Sequence, residues 1–176
     1  YDMLVGHEVG HALYTPDENW LENYEIPPQV VNVVEDARIE KLMKRRYAGL
    51  SKTFYSGYQE LADEDFFCLE NENIELMNLA DRINLYFKIG NFVDIPFKTF
   101  EENRLVKMVS DCETFEDVLN TSLEIYKYCS DQNNSQSDDN QNSAEMPGNS
   151  SEKGNTDQDL QVKENDSESM EETQEK

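Results

Sequence analysis

Cysteine, histidine and basic residues are all scarce in this 176-residue chain, and each scarcity excludes something. Cys68, Cys112 and Cys129 are odd in number and widely spaced. That fits neither a disulfide framework nor a paired-cysteine metal clip, and reduced thiols in a cytoplasm are the expectation. Only 15 Lys and Arg stand against 38 Asp and Glu, a formal charge of −23. Such a balance argues against nucleic acid or an anionic membrane surface as partner, since both are bound through a cationic face. The one basic cluster, Lys41, Lys44, Arg45 and Arg46, is short and reads as the solvated end of a helix. No apolar run approaches the roughly 18 residues of a spanning helix, and no charged-then-apolar leader precedes a cleavage site.

What is present divides in two. Residues 131–176 carry 13 acidic and 3 basic residues with almost nothing apolar, leaving a charge of −13 for residues 1–130. The Asn/Ser/Gln/Asp-rich stretch 130–176 buries too little apolar surface to offset chain entropy and is expected to be a disordered acidic linker or tail. Residues 1–129 are long enough for one domain with a core. The chain opens at Tyr1 rather than Met, six residues before its strongest motif, and is expected to be an internal fragment or a processed chain, N-terminally incomplete.

The folding part is expected to be mainly α. Apolar residues recur at helical spacing through 1–14, where Thr15-Pro16 ends the run. Residues 17–26 read as a loop with one helical turn around Trp20. Pro27-Pro28 then opens a helix over about 28–47. Further helices are predicted over 52–62, 74–89, 100–109 and 115–129, with Ser110 or Thr114 as caps. Phe66, Phe67, Phe87, Phe92, Phe97 and Tyr126 are the core candidates.

The helix over 28–47 is apolar nearly all round, the mark of a buried helix. Yet Asn32, Glu35, Asp36, Arg38 and Glu40 are threaded through it, and ionised groups are costly to bury without a partner.

His7-Glu8-Val9-Gly10-His11 is HExxH on a predicted helix, and it uses both histidines of the chain. Positions i and i+4 share a helix face, so both imidazoles can reach one zinc ion. Glu8 projects beside the metal and is the candidate general base, taking a proton from a water that the metal activates. Gly10 allows another element to come close. A catalytic zinc site wants a third protein ligand, and with no third histidine the candidates are Glu35 and Asp36. Glu35 has the longer reach and the more apolar side; Asp36 shares its side with Asn32 and Glu40, which suits a hydrogen-bonded network but also a short-armed ligand. Whichever does not bind can orient a ligand histidine, with Asn32, Arg38 and Glu40 as its neighbours. An ion pair of Glu35 or Asp36 with Arg38 alone is the competing reading.

Val5-Gly6-His7-Glu8-Val9-Gly10-His11-Ala12-Leu13, followed by Val31-Asn32-Val33-Val34-Glu35-Asp36-Ala37-Arg38-Ile39-Glu40, resembles the HExxH…N-x-x-E-D-x-R-x-E pattern of metallopeptidases associated with von Willebrand factor A domains. The likeness is to peptidase-like proteins of tailed marine bacteriophages, and more distantly to the cobalt chelatase T subunit and nitric oxide reductase activation proteins. The resemblance implies a fragment of a zincin-like helical metallopeptidase domain with His7 and His11 as zinc ligands, Glu8 as base and an acidic ligand from Glu35-Asp36. It also implies a protein or peptide substrate, a von Willebrand A domain downstream, and the host cytoplasm as location if phage-encoded. Against the E-x-x-x-D helix of glutamate zincins, Asn32 stands where the usual ligand would be, so that pattern does not transfer directly. The alternative from another class is a non-catalytic zinc-stabilised interaction module working with an A domain or an ATPase.

Overall fold

Six α-helices and no strand make up the described residues. The computed structural model describes residues 1–17 and 24–139, the last six of them by backbone alone. The predicted turn around Trp20 and most of the expected tail lie outside the described residues. The helices are α1 (Asp2–Tyr14), α2 (Pro28–Arg46), α3 (Leu50–Asp63), α4 (Leu79–Ile89), α5 (Phe100–Asp111) and α6 (Phe115–Asp139). None is long and apolar enough to cross a membrane.

α2 is the axis of the fold and packs on all five other helices. Its all-round apolar pattern therefore has the expected consequence: Val31, Val34, Ile39 and Met43 are buried, and so are Glu35, Arg38 and Glu40. One core cluster joins Val31 and Val34 to Leu79 and Ile83 of α4, Leu105 and Val109 of α5, and Val118, Leu119 and Ile125 of α6. A second joins Met3 of α1, Phe54 and Tyr58 of α3, Leu85 and Ile89 of α4, and Ile95.

Boundaries follow the caps. Thr99 and Glu102 form a reciprocal capping box at α5, a two-donor solution to a helix start. Thr114 accepts from the Asp117 N–H at 3.1 Å and starts α6, while Ser110 sits inside α5. The expected helix over 74–89 is divided. Ile74–Leu76 is a single 3₁₀ turn, and Asn78 accepts from the Asp81 N–H to start α4. At the other end α6 runs ten residues past Cys129, its backbone continuing as helix to Asp139. The basic cluster is only partly solvated: Lys41 donates to the Ser110 and Cys112 carbonyls at the end of α5, whereas Arg45 and Arg46 are exposed. The three cysteines are free thiols.

Two aromatic expectations are corrected. Phe66 is 64% exposed and Tyr126 lies at the surface, while Phe54, not singled out from the sequence, is 1% exposed. Phe66 follows the end of α3 at a turn in which Asp65 takes a positive φ, so it belongs to no helix face that packs. Phe67, Phe87, Phe92 and Phe97 are half-buried on the margins of the two clusters.

A buried ion pair ties α4 to α5. Arg82 donates to Glu102 Oε1 and to the carbonyls of Met77 and Pro96. Burial pushes the Glu102 carboxyl up, but the Arg82 guanidinium and the N–H groups of Lys98 and Thr99 outweigh it and hold the carboxyl below its usual range. A depressed carboxylate stabilises the fold fully above its unfolded-state value and loses that contribution as pH falls through the folded one. Glu102→Gln, which leaves Arg82 unpaired, is therefore expected to cost about 3 kcal/mol at pH 7. The gap between parent and variant should narrow below pH 4.5, the carboxyl's ordinary value. Thermal unfolding at both pH values checks this; a constant gap would show that Glu102 acts by packing alone.

Candidate metal centre

α1 carries HExxH on a helix with no cap hydrogen bond at its start and a clean stop at Thr15, whose backbone is extended before Pro16. Its buried side is made of Met3, Gly6 and Gly10. A Cβ built on Gly10 would lie 2.8 Å from Ile39 Cδ1 and 3.1 Å from Met43 Cγ of α2. Hydrogen at this position is what lets α1 lie against α2, as the sequence led one to expect. Gly10→Ala should push the two helices apart. The expected overpacking cost is about 1–3 kcal/mol, less up to about 1 kcal/mol recovered from helix propensity. Thermal unfolding checks this, and a melting temperature at or above the parent's would show that the close approach does not depend on Gly10.

The approach brings two i, i+4 pairs together. His7 and His11 of α1, 17% and 29% exposed in their side chains, face Asp36 and Glu40 of α2. The His11 Nε2 lies 3.1 Å from Asp36 Oδ1, and the His7 Nε2 lies 3.6 Å from the same oxygen. One ligand atom from each of His7, His11 and Asp36 falls within 4.8 Å of the other two. Zinc bonds of about 2.0–2.1 Å in a tetrahedral arrangement place neighbouring ligand atoms roughly 3.3 Å apart, so the two separations straddle the spacing that zinc requires.

The outer nitrogens decide the protonation. His7 Nδ1 is 3.2 Å from Glu40 Oε1, and the same carboxylate accepts from the buried Tyr58 hydroxyl and from Lys44. A carboxylate only accepts, so His7 Nδ1 is the donor. His11 Nδ1 is 3.0 Å from Thr15 Oγ1, which itself donates to Glu35 Oε1 at 2.6 Å. Glu35 also accepts two hydrogen bonds from Arg38, at 2.6 and 2.7 Å. The one hydroxyl proton of Thr15 is thus committed, and His11 Nδ1 must donate to the hydroxyl oxygen. With both Nδ1 atoms donating outward, the two Nε2 atoms are turned toward the Asp36 carboxylate. Two imidazole nitrogens and a carboxylate oxygen thus converge on one point, a donor set of the kind that holds a metal ion. The hydrogen bond to Glu40 raises the His7 imidazole above its ordinary value; burial opposes this and the Asp36 charge adds to it, so in the absence of a metal the site favours a proton on His7, which a metal would displace.

The structure separates the two carboxylate candidates. Asp36 turns into the cluster, but Glu35 does not: it points to the Arg38 guanidinium three residues on and to Thr15, and so reaches the site only through the His11 ring. The reason is local, since a bidentate guanidinium at i+3 is a better partner for a buried carboxylate than a shared cluster. Arg38 also donates to the Tyr14 and Glu113 carbonyls and fastens the end of α1 to α2. Glu40 orients His7. Asn32 is exposed and bonds neither histidine. Glu8 is exposed beside His7. Lys88 of α4 donates to Asp36 Oδ2 at 2.9 Å. Thr15, Tyr58 and Lys88 were not anticipated. Thr15 stands four residues after His11 and was readable as its i+4 neighbour; Tyr58 and Lys88 arrive from other helices and left no local signal.

Compared with known proteins, the chain matches no family model, no curated protein and no solved structure.

Proposed function

We propose that the chain is the zinc-binding part of a metallopeptidase or peptidase-like domain that hydrolyses peptide bonds. The observation that carries this reading is the convergence of the His7 and His11 Nε2 atoms with Asp36 Oδ1, next to the exposed carboxylate of Glu8. The donor set, two imidazoles and one carboxylate with no Cys or further His within the cluster, matches that of hydrolytic zinc sites and leaves a position free. Zinc, when bound, supplies Lewis acidity and brings the pKa of a water toward neutrality. His7, His11 and Asp36 would hold it. Glu8 would take the proton of the attacking water as it adds to the carbonyl carbon, then deliver that proton to the amine nitrogen as the C–N bond breaks. Leu4, Val5, Val9 and Leu13, exposed on α1 around Glu8, offer apolar contact to a peptide. The resemblance to metallopeptidases associated with von Willebrand A domains, the A-domain partner, and a cytoplasmic setting suited to three free thiols belong to the same proposal.

Elemental mass spectrometry of the purified chain is expected to find about one zinc per chain, and none after His7→Ala or His11→Ala. Full zinc content in both variants would remove the site from this place. The alternative, a zinc-stabilised interaction module, requires the same ion but no use for Glu8, so substitution at Glu8 separates the two.

A further inference from the structure

We propose that Lys88 is a positioning residue for the metal centre: by holding Asp36 Oδ2 it keeps Asp36 a one-oxygen ligand and the site open. This rests on the metal-centre reading above. Asp36 divides its two oxygens. Oδ1 faces the two histidine Nε2 atoms, and Oδ2 accepts from the Lys88 ammonium at 2.9 Å. Both side chains are largely withdrawn from solvent, at 16% and 21% exposure. A withdrawn ammonium, strongly hydrated by nature, stays with its counter-charge.

Its position is also fixed from behind. Lys88 lies on α4 between Leu85 and Ile89, both buried in the second core cluster, so the ammonium is delivered by a helix that cannot shift without disturbing the core. Asp36 needs this help because aspartate can offer a metal either one oxygen or both. Binding through both would fill the coordination position that a hydrolytic site must keep for water and substrate. An ammonium on the second oxygen prevents that bite, and by sharing the carboxylate's charge it leaves the metal a stronger Lewis acid. Glu40, one turn further along α2, plays no such part: its oxygens go to His7, Tyr58 and Lys44.

The test uses the full chain loaded with Co²⁺, whose visible absorption is strong in four-coordinate sites and weak at higher coordination number. The parent is expected to show the strong band and Lys88→Arg to keep it, because a guanidinium still donates to Oδ2. Lys88→Met should retain cobalt but lose the band several-fold as Asp36 closes on the metal with both oxygens. Lys88→Gln, one bond too short to reach Oδ2, should behave as Lys88→Met does and serves if the methionine variant fails to fold. A merely structural lysine would lower the melting temperature and leave the spectrum untouched, and a parental spectrum in the folded Met or Gln variant overturns the proposal while the metal centre stands. A parent chain that takes up neither Co²⁺ nor Zn²⁺ overturns both.

Discussion

Asp36→Ala is expected to abolish stoichiometric zinc binding, whereas Glu35→Gln should leave the ion bound with affinity reduced by about 10–100-fold. The two residues are adjacent on α2 and chemically similar, so the contrast is a test of geometry alone. Asp36 Oδ1 faces both Nε2 atoms, and without it two imidazoles remain, too few to hold zinc in a protein site. Glu35 acts at one remove. It accepts from Thr15, which fixes the His11 ring through Nδ1, so its loss loosens a ligand without deleting one. Gln is chosen over Ala because it keeps the shape of the side chain beside the buried Arg38. Gln keeps an oxygen that can accept from Arg38 and Thr15, but it still removes the counter-charge at a cost of about 3 kcal/mol, so both affinities are read on folded protein. Competition against a chelating dye gives both affinities. If Glu35→Gln loses the ion and Asp36→Ala keeps it, the assignment of the third ligand is reversed.

Much of this architecture is legible from sequence because it is punctuated. Thr15-Pro16 and Pro27-Pro28 bound α1 and α2, Thr114 starts α6, and a helix apolar on every side had to be central. The pairing of HExxH with the charged helix is legible too, since five polar residues inside a buried helix demand partners. The choice between Glu35 and Asp36 is not. Reach and the apolar side favour Glu35, but it is Asp36 that faces the histidines, because Arg38 draws Glu35 away, Thr15 accepts from His11, and Lys88 arrives from 52 positions down the chain to hold Asp36. Interactions of that range carry no periodicity. The division of 74–89 failed for a different reason: Ile74, Leu76 and Met77 continue the apolar rhythm of α4, and only the capping preference of Asn78, weighed against that rhythm, marks the true start. Phe66 shows the same limit, since an aromatic side chain in a turn is no guide to the core.

Glu8→Gln is expected to leave zinc content and melting temperature at parental values while lowering peptide hydrolysis by at least about 100-fold, the low end of what a general base contributes. Glu8 lies outside the converging ligands and is exposed, so an isosteric amide removes only the ability to accept a proton. The consequence for the two readings is opposite. A site that merely fastens α1 to α2 has no use for Glu8, because His7, His11 and Asp36 already span those helices. A hydrolytic site needs a base within one residue of a ligand and on the solvent side, where substrate enters, and Glu8 is the carboxylate that α1 presents there. Its apolar neighbours sharpen the point: Leu4, Val5 and Val9 remain at the surface at 59%, 44% and 42% exposure, a placement that costs the isolated domain solubility and is better matched to contact with another chain. The measurement is cleavage of an unstructured peptide or protein followed by mass spectrometry, with zinc determined on the same samples. Loss of zinc in the variant would make Glu8 a ligand and refute its role as base. Equal hydrolysis by parent and variant would refute the catalytic reading and leave the metal to structure.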